Sequence, residues 1–65
     1  MKVRELRQAA NITQGDLGKI LGVDRSTVAY WESGASMPRA ELIPSLADAL
    51  GCTIDALFGR EGASA

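Results

Sequence analysis

QGDLGKILGVDRSTVAYWES, residues 14–33, carries small, turn-forming and apolar residues at the offsets that two short helices need to lock together steeply across a tight turn. Gly18 leaves room for the second helix to approach the first, and Gly22 permits the positive φ of the turn. Leu17, Leu21, Val23, Val28 and Trp31 then supply the shared apolar seam.

Working outward, helical spacing accounts for the rest of the chain, and nothing in it alternates like a strand. Upstream, a first helix is expected over about Lys2 to Ala10, with Val3, Leu6 and Ala10 on its buried face. Asn11 ends it, because asparagine tolerates the left-handed conformation that closes many helices. Thr13 caps the second helix, with Asp16 as the acidic partner of a capping box, and that helix continues to about Leu21. Gly15 and Gly18 each weaken it by roughly 1 kcal/mol relative to alanine, and only Gly18 has a packing reason to be there. Asp24 is the expected N-cap of the third helix, which runs to Trp31 or Glu32 and is stopped by Gly34. Pro38 biases Met37 away from helical geometry, so ASMPRA reads as a loop. A fourth helix begins in earnest near Ile43 or Pro44, after an irregular turn over Ala40 to Leu42, and ends at Leu50 with Gly51 as its C-cap. Leu42, Ile43, Leu46, Ala49 and Leu50 form its apolar face. Thr53 caps a short fifth helix over Ile54 to Phe58, and GREGASA, residues 59–65, is expected to be a flexible tail after one domain spanning 1–58.

A chain of 65 residues has room for one small domain, near the lower limit at which a hydrophobic core alone sustains folding. With 46% hydrophobic residues it reads as globular, and no apolar run approaches the length that spans a membrane. The opening MKVRELRQ is charged and amphipathic, unlike a secretory signal. A single cysteine, Cys52, excludes an internal disulfide, and the absence of histidine removes the usual zinc ligands. These features predict a cytoplasmic protein with no metal, no cofactor and no membrane partner. Catalysis is not expected either: there is no histidine base, nothing basic stands beside Cys52 in the sequence, and the carboxylates are scattered over caps and exposed faces.

Two helices in the relation that residues 14–33 describe form a helix-turn-helix, whose second helix reads DNA in the major groove. The formal net charge of −1 argues against a polyanionic partner when taken as an average, since phosphate neutralisation supplies most non-specific affinity. Its distribution argues the other way. Residues 1–40 hold Lys2, Arg4, Arg7, Lys19, Arg25 and Arg39 against four acids, a net of +2, while residues 41–65 net −3. The basic half contains the motif.

Over residues 1 to about 58 the sequence resembles the phage-repressor group of helix-turn-helix regulators, the Cro/cI or XRE-type family. The resemblance is carried by RELR at 4–7, TQ at 13–14, LG at 21–22, WESG at 31–34, Pro38 and LADALGCTIDALF at 46–58. It implies an all-α, compact five-helix, lambda-repressor-like domain in which the third helix enters the major groove while the second anchors to the DNA backbone. Members usually bind two-fold operators as homodimers, so the resemblance implies a homodimer on a pseudo-palindromic double-stranded operator.

Gln14 opens the second helix, where free N–H groups and the positive dipole end favour phosphate, and family members with TQ here clamp the backbone with that glutamine. Arg25, Ser26, Thr27, Ala29 and Tyr30 lie on the first turns of the third helix and are not required by the core. The family pattern makes Arg25, Ser26 and Tyr30 the readers of bases. Arg25 suits guanine as a bidentate donor, and it equally suits a phosphate or a pairing with Asp24. The Thr27 methyl can meet a thymine methyl, and Tyr30 can do the same or bind a phosphate. Asp24 is a cap before it is a reader. In the resemblance Arg7 and Glu32 are a matched pair, a partly buried ion pair that also points Arg7 toward a phosphate. Arg39 is the one base of the loop between the third and fourth helices and the third phosphate candidate. Trp31 reads as core rather than a stacking platform, and Cys52 as a small buried hydrophobe rather than a redox switch.

The expected function is therefore a sequence-specific DNA-binding transcriptional regulator, most simply a small Cro-like repressor occluding a promoter. The alternative is a protein-interaction module on the same fold, such as an antitoxin or antirepressor, which the acidic average favours. A third possibility is that the 65 residues belong to a longer regulator, with GREGASA opening a linker. Ile54, Leu57 and Phe58 are either a dimer interface or part of the core.

Overall fold

The computed structural model describes residues 1–59, and all regular structure in them is helical. The element order is α1 (Val3–Ala9), α2 (Gln14–Leu21), α3 (Arg25–Ser33), a 3-10 turn (Ala40–Leu42), α4 (Ile43–Leu50) and α5 (Ile54–Leu57). The tail expected over 59–65 lies outside the described residues from position 60 onward.

Each boundary has a local cause. Asn11 adopts φ 63° and turns the chain out of α1. The Thr13 hydroxyl accepts the Asp16 amide at 3.0 Å and so satisfies a free N–H at the start of α2. Gly22, Gly34 and Gly51 all close their helices in the left-handed conformation, at φ 74°, 85° and 65°. Pro44 sits in the first turn of α4, where its missing N–H would have had no helical partner, and the 3-10 turn before it absorbs the entry. Thr53 caps α5 through the Ala56 amide at 3.0 Å.

The core is one cluster: Val3, Leu17, Val28, Trp31, Leu46, Ala47, Leu50 and Leu57 are buried, with Leu6, Ile12, Leu21, Val23, Leu42, Ile43, Ala49 and Cys52 packed around them. Every described helix contributes a buried side chain, and α2 against α3 is the most extensive helix–helix packing. An added Cβ on Gly18 would lie 2.6 Å from the Val23 carbonyl oxygen, so the α2–turn–α3 approach depends on that glycine. At Gly15 the nearest atom would be the Thr13 hydroxyl at 3.9 Å, and packing requires no glycine there. The Lys2 amide donates to the Leu57 carbonyl at 2.8 Å, tying the start of the chain to α5.

Two expectations need correction, and one open alternative is divided. Ala10 is exposed because α1 ends at Ala9, and Ile12, beyond the Asn11 turn, packs on the core instead. Asp24 occupies the N-cap position of α3 but its side chain makes no capping hydrogen bond; the Thr27 amide closes the first turn on the Asp24 carbonyl at 3.0 Å. Of the three apolar residues of the fifth helix, Leu57 is fully buried in the core, whereas Ile54 and Phe58 remain 44% and 42% exposed.

Candidate nucleic-acid interface

α3 is held by its inner face. Val28 and Trp31, three residues apart, are buried in the core, with α3 packed chiefly on α2, and this leaves Arg25, Ser26 and Tyr30 exposed and Thr27 and Ala29 half-buried. Tyr30 is 55% exposed, so its ring is not consumed by packing. Thr27 lies beside Met37, Pro38 and Arg39 in a shallow depression that also reaches Trp31, which places it at the flank of α3 rather than its crest.

A cleft runs between the end of α1 and the first turns of α2 and α3. Arg7, Asn11, Thr13, Gln14, Gly15 and Arg25 line it. Three of the expected phosphate or base contacts, Arg7, Gln14 and Arg25, are thereby brought together from three helices. Arg39 stands apart, in the loop on the other flank of α3.

Beneath the cleft lies a polar hub. The Glu32 carboxylate, 1% exposed, accepts from Arg7 Nε at 2.6 Å on Oε2; its Oε1 accepts from Arg7 Nη2 at 3.3 Å and Gln14 Nε2 at 3.1 Å. Arg4 Nε adds a weaker contact at 3.5 Å from the surface. Arg7, itself only 12% exposed, spends its remaining terminal nitrogen on the Ile12 carbonyl at 2.8 Å. No described buried side-chain nitrogen or oxygen is left without a partner, as burial of polar groups requires. Burial pushes the Glu32 pKa upward, but hydrogen bonds from Arg7 and Gln14, the Arg7 charge and the Arg4 contact outweigh it, and the carboxyl is held below the ordinary glutamate range.

The Arg7–Glu32 pair follows the family pattern, whereas the part played by Arg4 and by the Gln14 amide is new with the structure. Arg4 and Arg7 are three residues apart and share a face of α1, a spacing that marks them as candidates for one acidic partner. The Gln14–Glu32 bond has no such local signal, since 18 residues separate the two. Among the described residues no group of three acidic, cysteine or histidine side chains could hold a metal, and no helix is long and apolar enough to cross a membrane.

A helix-turn-helix family model matches residues 3–57, the whole of the described core. The chain belongs to the phage-repressor-like, XRE-type helix-turn-helix family. Within this family of transcriptional regulators it is similar to the cryptic phage CTXphi transcriptional repressor RstR of Vibrio cholerae, at 36% identity over 64 residues, covering 92% of this chain and 57% of that protein. It is 38% identical over 60 residues to the regulator AnsR of Bacillus subtilis, covering 92% of this chain and 52% of that one. It is also 35% identical over 60 residues to the transcriptional activator BcrR of Enterococcus faecalis, covering 92% of this chain and 29% of that one. The chain thus spans little more than half the length of these XRE-type relatives at most. No solved structure matches it.

Proposed function

We propose that the domain binds double-stranded DNA sequence-specifically, with α3 in the major groove, and acts as a small Cro-like repressor. The observation that carries the reading is the two-sidedness of α3: its inner face is locked into the core by Val28 and Trp31 while Arg25, Ser26 and Tyr30 are exposed on a rigid helix. In this reading Arg25, Ser26, Thr27, Ala29 and Tyr30 face the base edges, with Arg25 donating to guanine. Gln14, Arg39 and Arg7 contact the backbone. Arg7 does so with the N–H groups that Glu32 and Ile12 leave over, so its first role is structural.

With so few cations per domain, the reading includes a homodimer on a pseudo-palindromic operator, its two α3 helices about 34 Å apart. Ile54 and Phe58 are the exposed apolar residues of the fifth-helix region available for that contact. Such a regulator would work in the cytoplasm, on the nucleoid. The repressing sign is favoured by the repressors among its relatives, RstR and the repressor protein C2 of Salmonella phage P22, the latter 34% identical over 57 residues. The net charge of −1 favours a second reading, an antitoxin-like or antirepressor-like module that docks on a protein.

Repeated selection of bound DNA from a randomised duplex library near physiological salt tests the first reading, with Arg25→Ala run beside the wild type. The expected result is a two-fold symmetric consensus that blurs at defined positions in the variant. A folded, concentrated domain that enriches no sequence would refute it.

A further inference from the structure

Three side chains donate to Glu32, and two of them are the arginines a buried carboxylate ordinarily collects. The third, the Gln14 amide, comes from the first residue of α2 and lines the cleft above. A glutamine side chain has a donor end and an acceptor end of nearly equal shape, and a solvated one offers either. An ionised carboxylate only accepts. With Glu32 as its partner at 3.1 Å, the amide must turn its nitrogen inward, and the second N–H of that nitrogen is left for a partner in the cleft. A phosphate diester is likewise an acceptor only, so an NH2 group with one hydrogen on Glu32 and one on a phosphate satisfies both oxyanions. With the amide reversed, its carbonyl oxygen would oppose the phosphate.

We propose that Glu32 is a positioning residue for DNA binding: without touching DNA it fixes the Gln14 side-chain amide with its donor end toward the phosphate backbone. The Glu32 charge itself does not oppose the phosphate, because Arg7 and Arg4 neutralise it. The proposal rests on the DNA-binding reading above and predicts an effect opposite in sign to simple electrostatics. Removing a negative charge, and with it the tether on two arginines, should by itself tighten binding to a polyanion. Glu32→Gln should instead weaken it, because a glutamine at 32 accepts or donates and no longer selects one end of the Gln14 amide.

The test is a double-mutant cycle on the 65-residue chain with Glu32→Gln, Gln14→Ala and both together. Fluorescence anisotropy would follow binding to a mixed-sequence 20-base-pair duplex at low salt, with circular dichroism confirming that each variant is folded at the temperature used. A phosphate contact needs no operator, so a generic duplex suffices. Glu32→Gln should weaken binding about two- to tenfold in the wild-type background, the range of one hydrogen bond, and should not weaken it in the Gln14→Ala background. Equal weakening in both backgrounds, or tightening in the wild type, would overturn the positioning role while leaving DNA binding intact. No binding by the wild type would overturn both. Should Glu32→Gln not fold, the side-chain amide resonances of the wild-type chain decide: those of Gln14 should differ from those of the exposed Gln8 in shift and hydrogen exchange, and coincidence of the two would overturn the proposal.

Discussion

Glu32 receives charge and hydrogen bonds from α1 and α2 on a side chain that belongs to α3, so a single carboxylate couples three helices. Glu32→Gln keeps the shape but discards the charge, leaving Arg7 enclosed without its counter-ion. Loss of a charged hydrogen bond of this kind destabilises by about 1.5–3 kcal/mol, measurable as a lower midpoint in urea unfolding. An unchanged midpoint would mean that the pair contributes nothing. The same carboxyl makes stability depend on pH. Because folding lowers its pKa, the unfolded chain takes up the proton first as pH falls. The contribution is therefore complete above the ordinary glutamate range and is lost as pH descends through the lower folded value. Urea midpoints should fall as pH descends below the ordinary glutamate range in the wild type, and Glu32→Gln should flatten that part of the profile.

Two glycines of α2 separate intrinsic helix preference from packing. Gly15 is half-buried, and a Cβ there would make only an ordinary van der Waals contact with the Thr13 hydroxyl, so Gly15→Ala should stabilise by about 0.5–1 kcal/mol through the backbone freedom it removes from the unfolded chain. Gly18→Ala brings the same gain in propensity but thrusts its methyl group to 2.6 Å from a backbone carbonyl. Backbone cannot rotate aside like a flexible side chain, and the α2–α3 junction would have to open. A net loss of about 1–3 kcal/mol is expected. Opposite signs in thermal melts of the two variants would establish that α2 tolerates its glycines for different reasons. Gly18 was legible from its offset to Gly22 and the apolar seam; why Gly15 stands at the rim of the cleft is not explained by packing.

Across the whole molecule the decisive property is the division of charge, +2 over residues 1–40 and −3 over 41–65. If the basic half faces DNA with Arg7 and Arg39 of each of two protomers on phosphates, log K should fall against log salt with a slope of about −3.6. A protein-docking module would show a slope near zero. The dimer is tested separately by sedimentation with a selected operator duplex: two protomers per duplex are expected, and Ile54→Asp with Phe58→Asp should reduce this to one without unfolding the domain, since both side chains are exposed. One protomer per duplex in the wild type would refute the dimer.

Periodicity, caps and left-handed turn residues act over a few neighbours, and this is why the order of the helices, the Gly22, Gly34 and Gly51 stops and the entry of α4 around Pro44 could be read from the chain alone. The family motifs likewise paired Arg7 with Glu32. Boundaries blurred where a helix gives way to a turn, as at Ala10, because a residue just past the last helical turn no longer shares the helix's buried face. What tertiary structure alone decided concerns which partner a polar or apolar side chain finds at long range. It sank Leu57 while leaving Ile54 and Phe58 outside, it left the Asp24 side chain out of its own cap, and it brought Gln14 and Arg4 to one buried carboxylate. Local sequence sets the conformations a segment prefers, but satisfaction of a buried charge is settled only when three helices meet around it.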